Sequence, residues 1–295
     1  MNEASVQFRD AIRSTGLEPP DMIEPGKLHR FPGAGKGMSN RAGWCLMFDD
    51  GQGGCFGDWS SGLSRTWFST HAWPDSPQAQ AAVSRQIQEA RLHAESARRD
   101  RHAAAANRAR RMWGTAPAAP RHHAYLVAKG IAPHNARLHH GCLVLPVTSF
   151  EGSISSLQFI APDGSKRLLS GGRKRGCSIG VAGDEKQARR VIICEGWATG
   201  CTLAEDDPAA LVLAAIDAGN LEPVAVAARR RWPSTEIVIA GDDDRHTPGN
   251  PGATKAKAAA TVSDALLALP QWPADAPERL TDFNDLARWL AGGEA

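Results

Sequence analysis

Nothing in the 295 residues approaches the roughly 20 consecutive apolar residues that a membrane-spanning helix needs. A secretory leader is also lacking at the start, and the six cysteines (45, 55, 142, 177, 194, 201) form no C-x-x-C pair. Together these point to a reducing cytoplasm and largely inert thiols. No phosphate-binding G-x-x-x-x-G-K-[ST] loop is present. Gly33-Ala34-Gly35-Lys36-Gly37 lacks both the spacing and the hydroxyl, so any nucleotide-driven motor must be a separate chain. Tyrosine occurs once, at Tyr125. Charge of one sign is scarce overall: the net charge is +2, with 42% hydrophobic and 22% charged residues, as in an ordinary soluble globular protein.

The distribution of charge says more than its sum. Residues 91–111 hold seven arginines (Arg91, Arg98, Arg99, Arg101, Arg108, Arg110, Arg111) against Glu95 and Asp100. Residues 166–175 hold Lys166, Arg167, Arg173, Lys174 and Arg175 with no acid. Acid is concentrated near the C-terminal end. Basic patches beside an acidic cluster suit a phosphate-bearing substrate that also needs a metal.

Four segments follow from the hydrophobic patterning. Residues 1–72 are rich in Gly and Trp. They contain a short helix around Phe8 to Ile12 and a hairpin, Trp44 to Phe48 and Gly54 to Gly57, around the turn Asp49-Asp50-Gly51. Trp59, Trp67 and Phe68 are expected to form a small aromatic core. Residues 73–120 form a basic helical linker. Positions 78–113 are Ala-, Gln-, Glu- and Arg-rich with sparse apolar positions (Val83, Ile87, Leu92), which predicts a long exposed helix. Residues 121–183 begin with a helix at Ala124 to Val127. Strands follow at Cys142 to Val147, Ile154 to Ile160 and Lys166 to Leu169, a small antiparallel sheet with a basic surface. Residues 184–295 alternate strand and helix: strands 189–194, 210–216 and 236–240, helices 198–206, 220–231, 252–269 and 283–291. Such alternation predicts a parallel sheet with right-handed crossovers.

Two of those strands run into acid. Val191-Ile192-Ile193-Cys194 leads into Glu195-Gly196, and Glu236 to Gly241 leads into Asp242-Asp243-Asp244. A third group, Asp282-Phe283-Asn284-Asp285, opens the last helix. Carboxylates at the carboxyl ends of parallel strands face the crevice where open α/β sheets bind ligands. Clustered carboxylates repel unless a cation neutralises them, so the group reads as a Mg²⁺ or Mn²⁺ site. If the backbone stays extended, Asp242 and Asp244 share a face and Asp243 points elsewhere. The amino end of helix 252–269 could hold a phosphate oxygen, with Lys255 adding charge.

On these motifs, residues 189–291 resemble a Toprim domain, the catalytic module of bacterial-type primases, type IA and II topoisomerases and some nucleases. Glu195-Gly196 matches that family's first motif, Asp242-Asp243-Asp244 its Asp-x-Asp, and Asp282-Phe283-Asn284-Asp285 the third acidic site of primase members. One departure is Thr199, where replicative primases commonly carry an aspartate, which removes one potential metal contact. Upstream, Tyr125-Leu126, Lys129-Gly130-Ile131, Gly141 to Val147 and Ser156 to Ile160 resemble the subdomain that precedes Toprim in primases of plasmids and phages. Phe56-Gly57-Asp58-Trp59-Ser60-Ser61-Gly62 resembles the end of the primase zinc ribbon. His29, Cys45 and Cys55 lack paired ligand spacing, so zinc is not expected.

The resemblance implies a compact parallel sheet flanked by helices, preceded by a small α+β subdomain and a zinc-ribbon-like β unit. It implies a primase making short RNA primers on single-stranded DNA by metal-dependent nucleotidyl transfer. Glu195, Asp242 and Asp244 would be catalytic and hold Mg²⁺ or Mn²⁺, with Asp282, Asn284 and Asp285 as further ligands. Lys166, Arg167, Arg173, Lys174, Arg175 and Lys255 would meet template and ribonucleoside triphosphate. A separate replicative helicase is the implied partner. A Toprim nuclease and a non-catalytic single-stranded-DNA-binding replication accessory are the alternatives. A topoisomerase would need Tyr125, which lies in a predicted helix ahead of the sheet, as its nucleophile.

Overall fold

The computed structural model describes residues 3–38, 40–69 and 77–292, the side chains of residues 77–87, 89–91, 93 and 94 excepted. Val83, Ile87 and Arg91 therefore lie outside the described side chains, and the expected border at 72/73 lies outside the described residues. Contacts divide the chain into two compact units, Met1–His93 and Ala94–Ala295. The expected borders were 72/73, 120/121 and 183/184, whereas this division falls inside the long helix.

The first unit is a helix on a four-stranded antiparallel meander. Helix α1 (Glu3–Arg13) precedes β1 (Leu28–Phe31), β2 (Gly43–Met47), β3 (Gly53–Asp58) and β4 (Leu63–Phe68), paired in that order. Phe8 and Ile12 project from one face of α1 onto Leu17, Phe31, Cys45, Met47 and Phe56. Phe8 meets Phe56 edge-on at 5.9 Å. It also presses on β3 so closely that a Cβ at Gly54 would lie 2.6 Å from its ring, so only glycine fits there. The aromatic core differs from expectation. Trp67 does pack on Phe8, but Trp59 is 52% exposed and stacks on Trp44 outside the core. Phe68 contacts Phe48 at the sheet margin. The reason is the two-residue period: Trp59 lies just past the end of β3, beyond its inward-facing positions. Cys45 is buried, Cys55 lies beside Thr66, and the His29 ring accepts the Glu24 N–H.

The second unit starts within α2 (Pro77–Thr115). Its exposed-helix expectation is corrected over the last turns: Ala105 and Ala109 are fully buried, because alanine lets the helix lie close on a sheet. After α3 (Ala124–Lys129) comes that sheet, β5 (Arg137–His139), β6 (Cys142–Thr148), β7 (Ile154–Ile160) and β8 (Lys166–Leu168), antiparallel in sequence order. Its two faces are covered differently. Val144, Leu157 and Phe159 pack on Ala109 of α2. Leu143, Leu145, Val147 and Ile160 join a core shared with the second sheet.

That second sheet has the order β13-β12-β10-β11-β9, from β9 (Ile179–Ala182), β10 (Arg190–Cys194), β11 (Leu211–Ala214), β12 (Glu236–Ala240) and β13 (Leu266–Ala268). All neighbours are parallel except the edge strand β9, which runs antiparallel to β11. Helix α4 (Trp197–Asp206) follows β10, α5 (Ala218–Arg231) follows β11, and α6 (Pro251–Ser263) follows β12. α7 (Phe283–Leu290) closes the described chain. Alternate strand residues serve opposite layers. Val191, Ile193, Leu213, Ile237 and Ile239 pack on α5 and α6. Ile192, Cys194, Val212 and Ala214 pack on α4 and the antiparallel sheet.

One helix is shorter than expected. α6 stops at Ser263, not residue 269, because Asp264 turns left-handed (φ 50°) and releases Leu266–Ala268 to pair in parallel with β12. Sequence patterning also passed over β1, β4, β5 and β9. Among the described residues no helix is long and apolar enough to cross a membrane.

Candidate active site

Register gathers the carboxylates. Cys194 sits opposite both Ala214 and Ala240, so β10, β11 and β12 end level with one another. The residues just beyond them, Glu195, Asp217 and Asp242, therefore emerge at the same edge. Asp217 had not been singled out in the sequence. Its strand is the third to run into acid, through Ala215-Ile216, and that shared pattern was the signal available. Ile216 there has φ 81°, a conformation a β-branched residue adopts only under constraint.

Glu195 and Asp242 are half-buried and electrostatically coupled. Burial raises the Glu195 pKa; the Ala218 N–H opposes this, while Asp217 and Asp244 add to it and Lys166 opposes it. Asp242 is pushed up to about 8, first by burial, then by Glu195, Asp282 and Asp244. Its Oδ1 is buried and has no hydrogen-bond partner among the described residues. Lys166 feels the same group from the facing sheet: although the residue is exposed, partial desolvation by the surrounding protein and then the neighbouring Lys129 lower its pKa, while Asp282, Glu195 and Asp242 favour its charge.

The acids divide by role. Asp243 points away, as the extended reading implied. Its Oδ1 accepts from Asn250 Nδ2 (2.6 Å) and its Oδ2 from Trp272 Nε1 (2.9 Å). Asp244 Oδ2 accepts the Gly252 N–H at 2.9 Å, and its own N–H donates to Asn250 Oδ1. Asn250 Oδ1 also accepts from the Ala253 N–H. These bonds correct the expectation of a phosphate at the amino end of α6, because the protein's own acceptors already occupy those donors. Lys255 is exposed at the start of the second turn of α6.

The third acidic group splits. Asp282 faces Asp242 and also caps α7, accepting the Asp285 N–H at 2.9 Å. Asn284 is buried and donates to Lys129 O (2.8 Å) and Thr202 Oγ1 (2.9 Å). Asp285 accepts the Thr281 N–H and lies 3.4 Å from Lys129 Nζ. Asn284 and Asp285 are thus turned toward α3 and α4, not toward the carboxylates, which corrects their expected place among metal ligands. Asn284 lies two positions past the cap and so emerges on another face, whereas Asp285, three past it, is held aside by the Thr281 N–H and Lys129. Thr199 is buried in the first turn of α4.

The basic stretch 166–175 likewise divides. Lys166 pairs in register with Ile160 and lies on the side of the carboxylates, whereas Arg167 pairs with Phe159 and lies over that ring at 4.3 Å on the α2 side. Arg173 is 3.8 Å from Glu151, and Lys174 Nζ bonds Asp217 Oδ2. Arg175 is exposed. Asn220, fully buried, fixes this loop: its amide donates to Lys174, Cys177 and Ala215 carbonyls and accepts the Gly176 N–H.

Among the described residues no three His, Cys, Asp or Glu side chains stand close enough together to hold an ion as arranged. The chemistry of the group nevertheless fits a hard cation. The donors are all carboxylate oxygens, one is a buried orphan among the described residues, and burial together with their mutual repulsion displaces Asp242 from its ordinary pKa.

Residues 190–291 match the family model described as "Toprim domain". Two curated proteins from Escherichia coli, each named DNA primase TraC, are similar over most of the chain. One is 33% identical over 273 residues, covering 86% of this chain and 18% of the relative. The other is 32% identical over 276 residues, covering 86% and 25%. The chain thus spans a quarter or less of the length of these relatives. Among solved structures, the Aquifex aeolicus primase (zinc binding and RNA polymerase domains) overlaps 95% of this chain and 81% of its own at 13% identity, with a TM-score of 0.41. The strand-end carboxylates and the matched segment together identify residues 190–291 as a Toprim domain, carried in a chain related in sequence to DNA primases of the TraC kind.

Proposed function

We propose that this chain synthesises short RNA primers on single-stranded DNA, joining ribonucleoside triphosphates by metal-dependent nucleotidyl transfer. One observation carries the reading: three parallel strands end level in carboxylates, one of them with a buried unpartnered oxygen, and a lysine from a second sheet faces them. The sequence relatives named DNA primase support it.

In the reaction a 3′-hydroxyl attacks the α-phosphorus, the bond to the bridging oxygen breaks, and pyrophosphate leaves. Glu195, Asp242 and Asp244, with Asp282, would hold Mg²⁺ or Mn²⁺, which lowers the hydroxyl pKa and offsets charge on the transferring group. The Gly252 N–H on Oδ2 orients the Asp244 carboxylate at this edge. Lys166 supplies positive charge on the substrate side. Lys174, held by Asp217, supplies a second ammonium at the same edge. Asn284 and Asp285 support the site from behind by tying α7 to α3 and α4. Arg167, Arg173, Arg175 and Lys255 would contact template and triphosphate at longer range, with salt-sensitive binding. We assign the work to the cytoplasm, alongside a separate replicative helicase.

The test is primer synthesis on single-stranded DNA with labelled ribonucleotides and Mg²⁺ or Mn²⁺, comparing the parent chain with Asp242→Ala. Metal-dependent short oligonucleotides that vanish in the variant are expected. Degradation of the template would move the activity to a nuclease.

A further inference from the structure

A second basic feature lies apart from the carboxylates. The second half of α2 and the β6–β7 hairpin enclose an open groove of about 290 Å³, lined on one side by Arg99, His102, Ala103, Ala106 and Arg110 and on the other by Ser149, Ser153, Ser155 and Arg173. The helical side is a stripe at spacings of three and four, one face of α2. Small alanines occupy its middle and arginines its ends, which leaves a channel with cationic ends. At 1.5 Å per residue, Arg99 and Arg110 are about 16 Å apart along the axis, room for more than one phosphate.

Three observations say what fits there. Among the described residues no carboxylate pairs with Arg99 or Arg110; Arg110 donates to Asn107 Oδ1, and Arg173 pairs with Glu151 at 3.8 Å, both of those side chains largely exposed. The charge is dense enough to act on His102, whose pKa burial lowers first, followed by Arg98, Arg173 and Arg101. Lastly, the groove is joined to the carboxylate edge by two consecutive residues. Arg173 lines the groove, while Lys174 bonds Asp217 beside Glu195. Ser155 Oγ, 2.9 Å from Arg173 O, fastens the loop to β7, so both contacts rest on one fixed backbone. Arg99 and Arg110, with no carboxylate partner among the described residues, flank an open groove whose other wall carries Arg173, an arrangement suited to a polyanionic strand.

We propose that this groove is a track for single-stranded DNA, gripping template phosphates on the far side of the loop that carries Lys174. The track's place in primer synthesis rests on the function proposed above; its binding of DNA does not. The strand would cross the Arg173–Lys174 loop between the carboxylates and the groove. The contacts are to phosphate, so the track is indifferent to base sequence.

The test is fluorescence anisotropy of a labelled oligothymidylate with the full chain, titrated at several salt concentrations, for the parent, Arg99→Glu/Arg110→Glu and Arg173→Ala. Both arginines of the double variant are exposed, and a melting temperature equal to the parent's shows that the fold is kept. The expected result is at least about tenfold weaker binding in the double variant, and a salt slope about 1.4 shallower, at roughly 0.7 per lost phosphate contact. Arg173→Ala should weaken binding in the same direction. Unchanged affinity and slope in the double variant overturn the proposal. The two readings separate cleanly. A parent that binds through the groove but makes no primer loses the primase reading and keeps the track. A parent that primes, with DNA binding indifferent to Arg99 and Arg110, loses the track alone.

Discussion

Lys174 bonds the carboxylate of Asp217 across 43 residues of sequence, bringing a basic loop onto the acidic edge of the parallel sheet. Asp217 in turn acts on Glu195. Both side chains of the pair are more than a third exposed, so its contribution to stability is below about 1 kcal/mol. Its effect belongs to the reaction. Asp217→Ala frees Lys174 and should lower primer synthesis about tenfold, equivalent to about 1.4 kcal/mol of barrier. Asp217→Asn, which keeps a hydrogen bond, should lower it less. A melting temperature close to the parent's in both variants, with unequal rates, is the outcome to look for. Equal rates in all three chains would remove Asp217 from the site.

The pH dependence of the cation-free protein follows from Asp242. Its folded pKa of about 8 lies above the ordinary carboxylate value of 3.8. Below about 4 both folded and unfolded chains hold the proton, and the group costs nothing. As pH rises from about 4 to about 8, the unfolded chain has lost the proton and the folded one still binds it, so stability declines through that window and levels off above it. Asp242→Asn should flatten this part of the melting-temperature profile and melt higher than the parent at pH 8. Saturating Mg²⁺ should raise the parent more than the variant. A parent profile that rises across this window would contradict the environment described for Asp242.

Gly252 is a second test of the same edge. A Cβ there would stand 2.7 Å from Asp242 O and 2.9 Å from Asp244 Oδ2. The first is backbone and cannot move aside without shifting the acidic loop. Gly252→Ala should cost about 2 kcal/mol, and weaken Mn²⁺ binding measured by calorimetry. Gly249→Ala, with open space at its Cβ but φ 80°, tests backbone strain without the clash and should leave Mn²⁺ binding intact.

Asn284 separates a scaffold role from a ligand role. Its amide bonds Lys129 O and Thr202 Oγ1 while buried, so Asn284→Ala leaves those acceptors unpaired and should destabilise by about 2 kcal/mol. Mn²⁺ affinity of the folded variant should stay near the parent's, whereas Asp282→Ala should weaken it. Matching losses of affinity in the two variants would return Asn284 to the ligand set.

Local sequence carried much of this. The runs Val191 to Cys194 and Glu236 to Ala240 are strands because both faces of each are covered by apolar layers, and the residues after them are acidic wherever the chain folds. Strand pattern alone therefore puts Glu195, Asp242 and Asp244, and the Toprim motifs with them, at one sheet edge. The period-two pattern also made the antiparallel sheet legible through Cys142 to Val147 and Ile154 to Ile160. Tertiary structure decided the rest. Asp217 joined the site only because β11 pairs level with β10, a register set by strands distant in sequence. The pleat of β8 sends Lys166 and Arg167 to opposite faces, but which face meets the carboxylates was set by packing, and Asn284 and Asp285 turned from Asp282 because Lys129, Thr202 and Thr281 supply their hydrogen-bond and ionic partners. Leu266 to Ala268 became strand rather than helix because β12 offered an open edge. Composition and periodicity act over a few residues and so fix elements and their ends. Which ends meet is settled by pairing and packing between segments that the sequence keeps far apart.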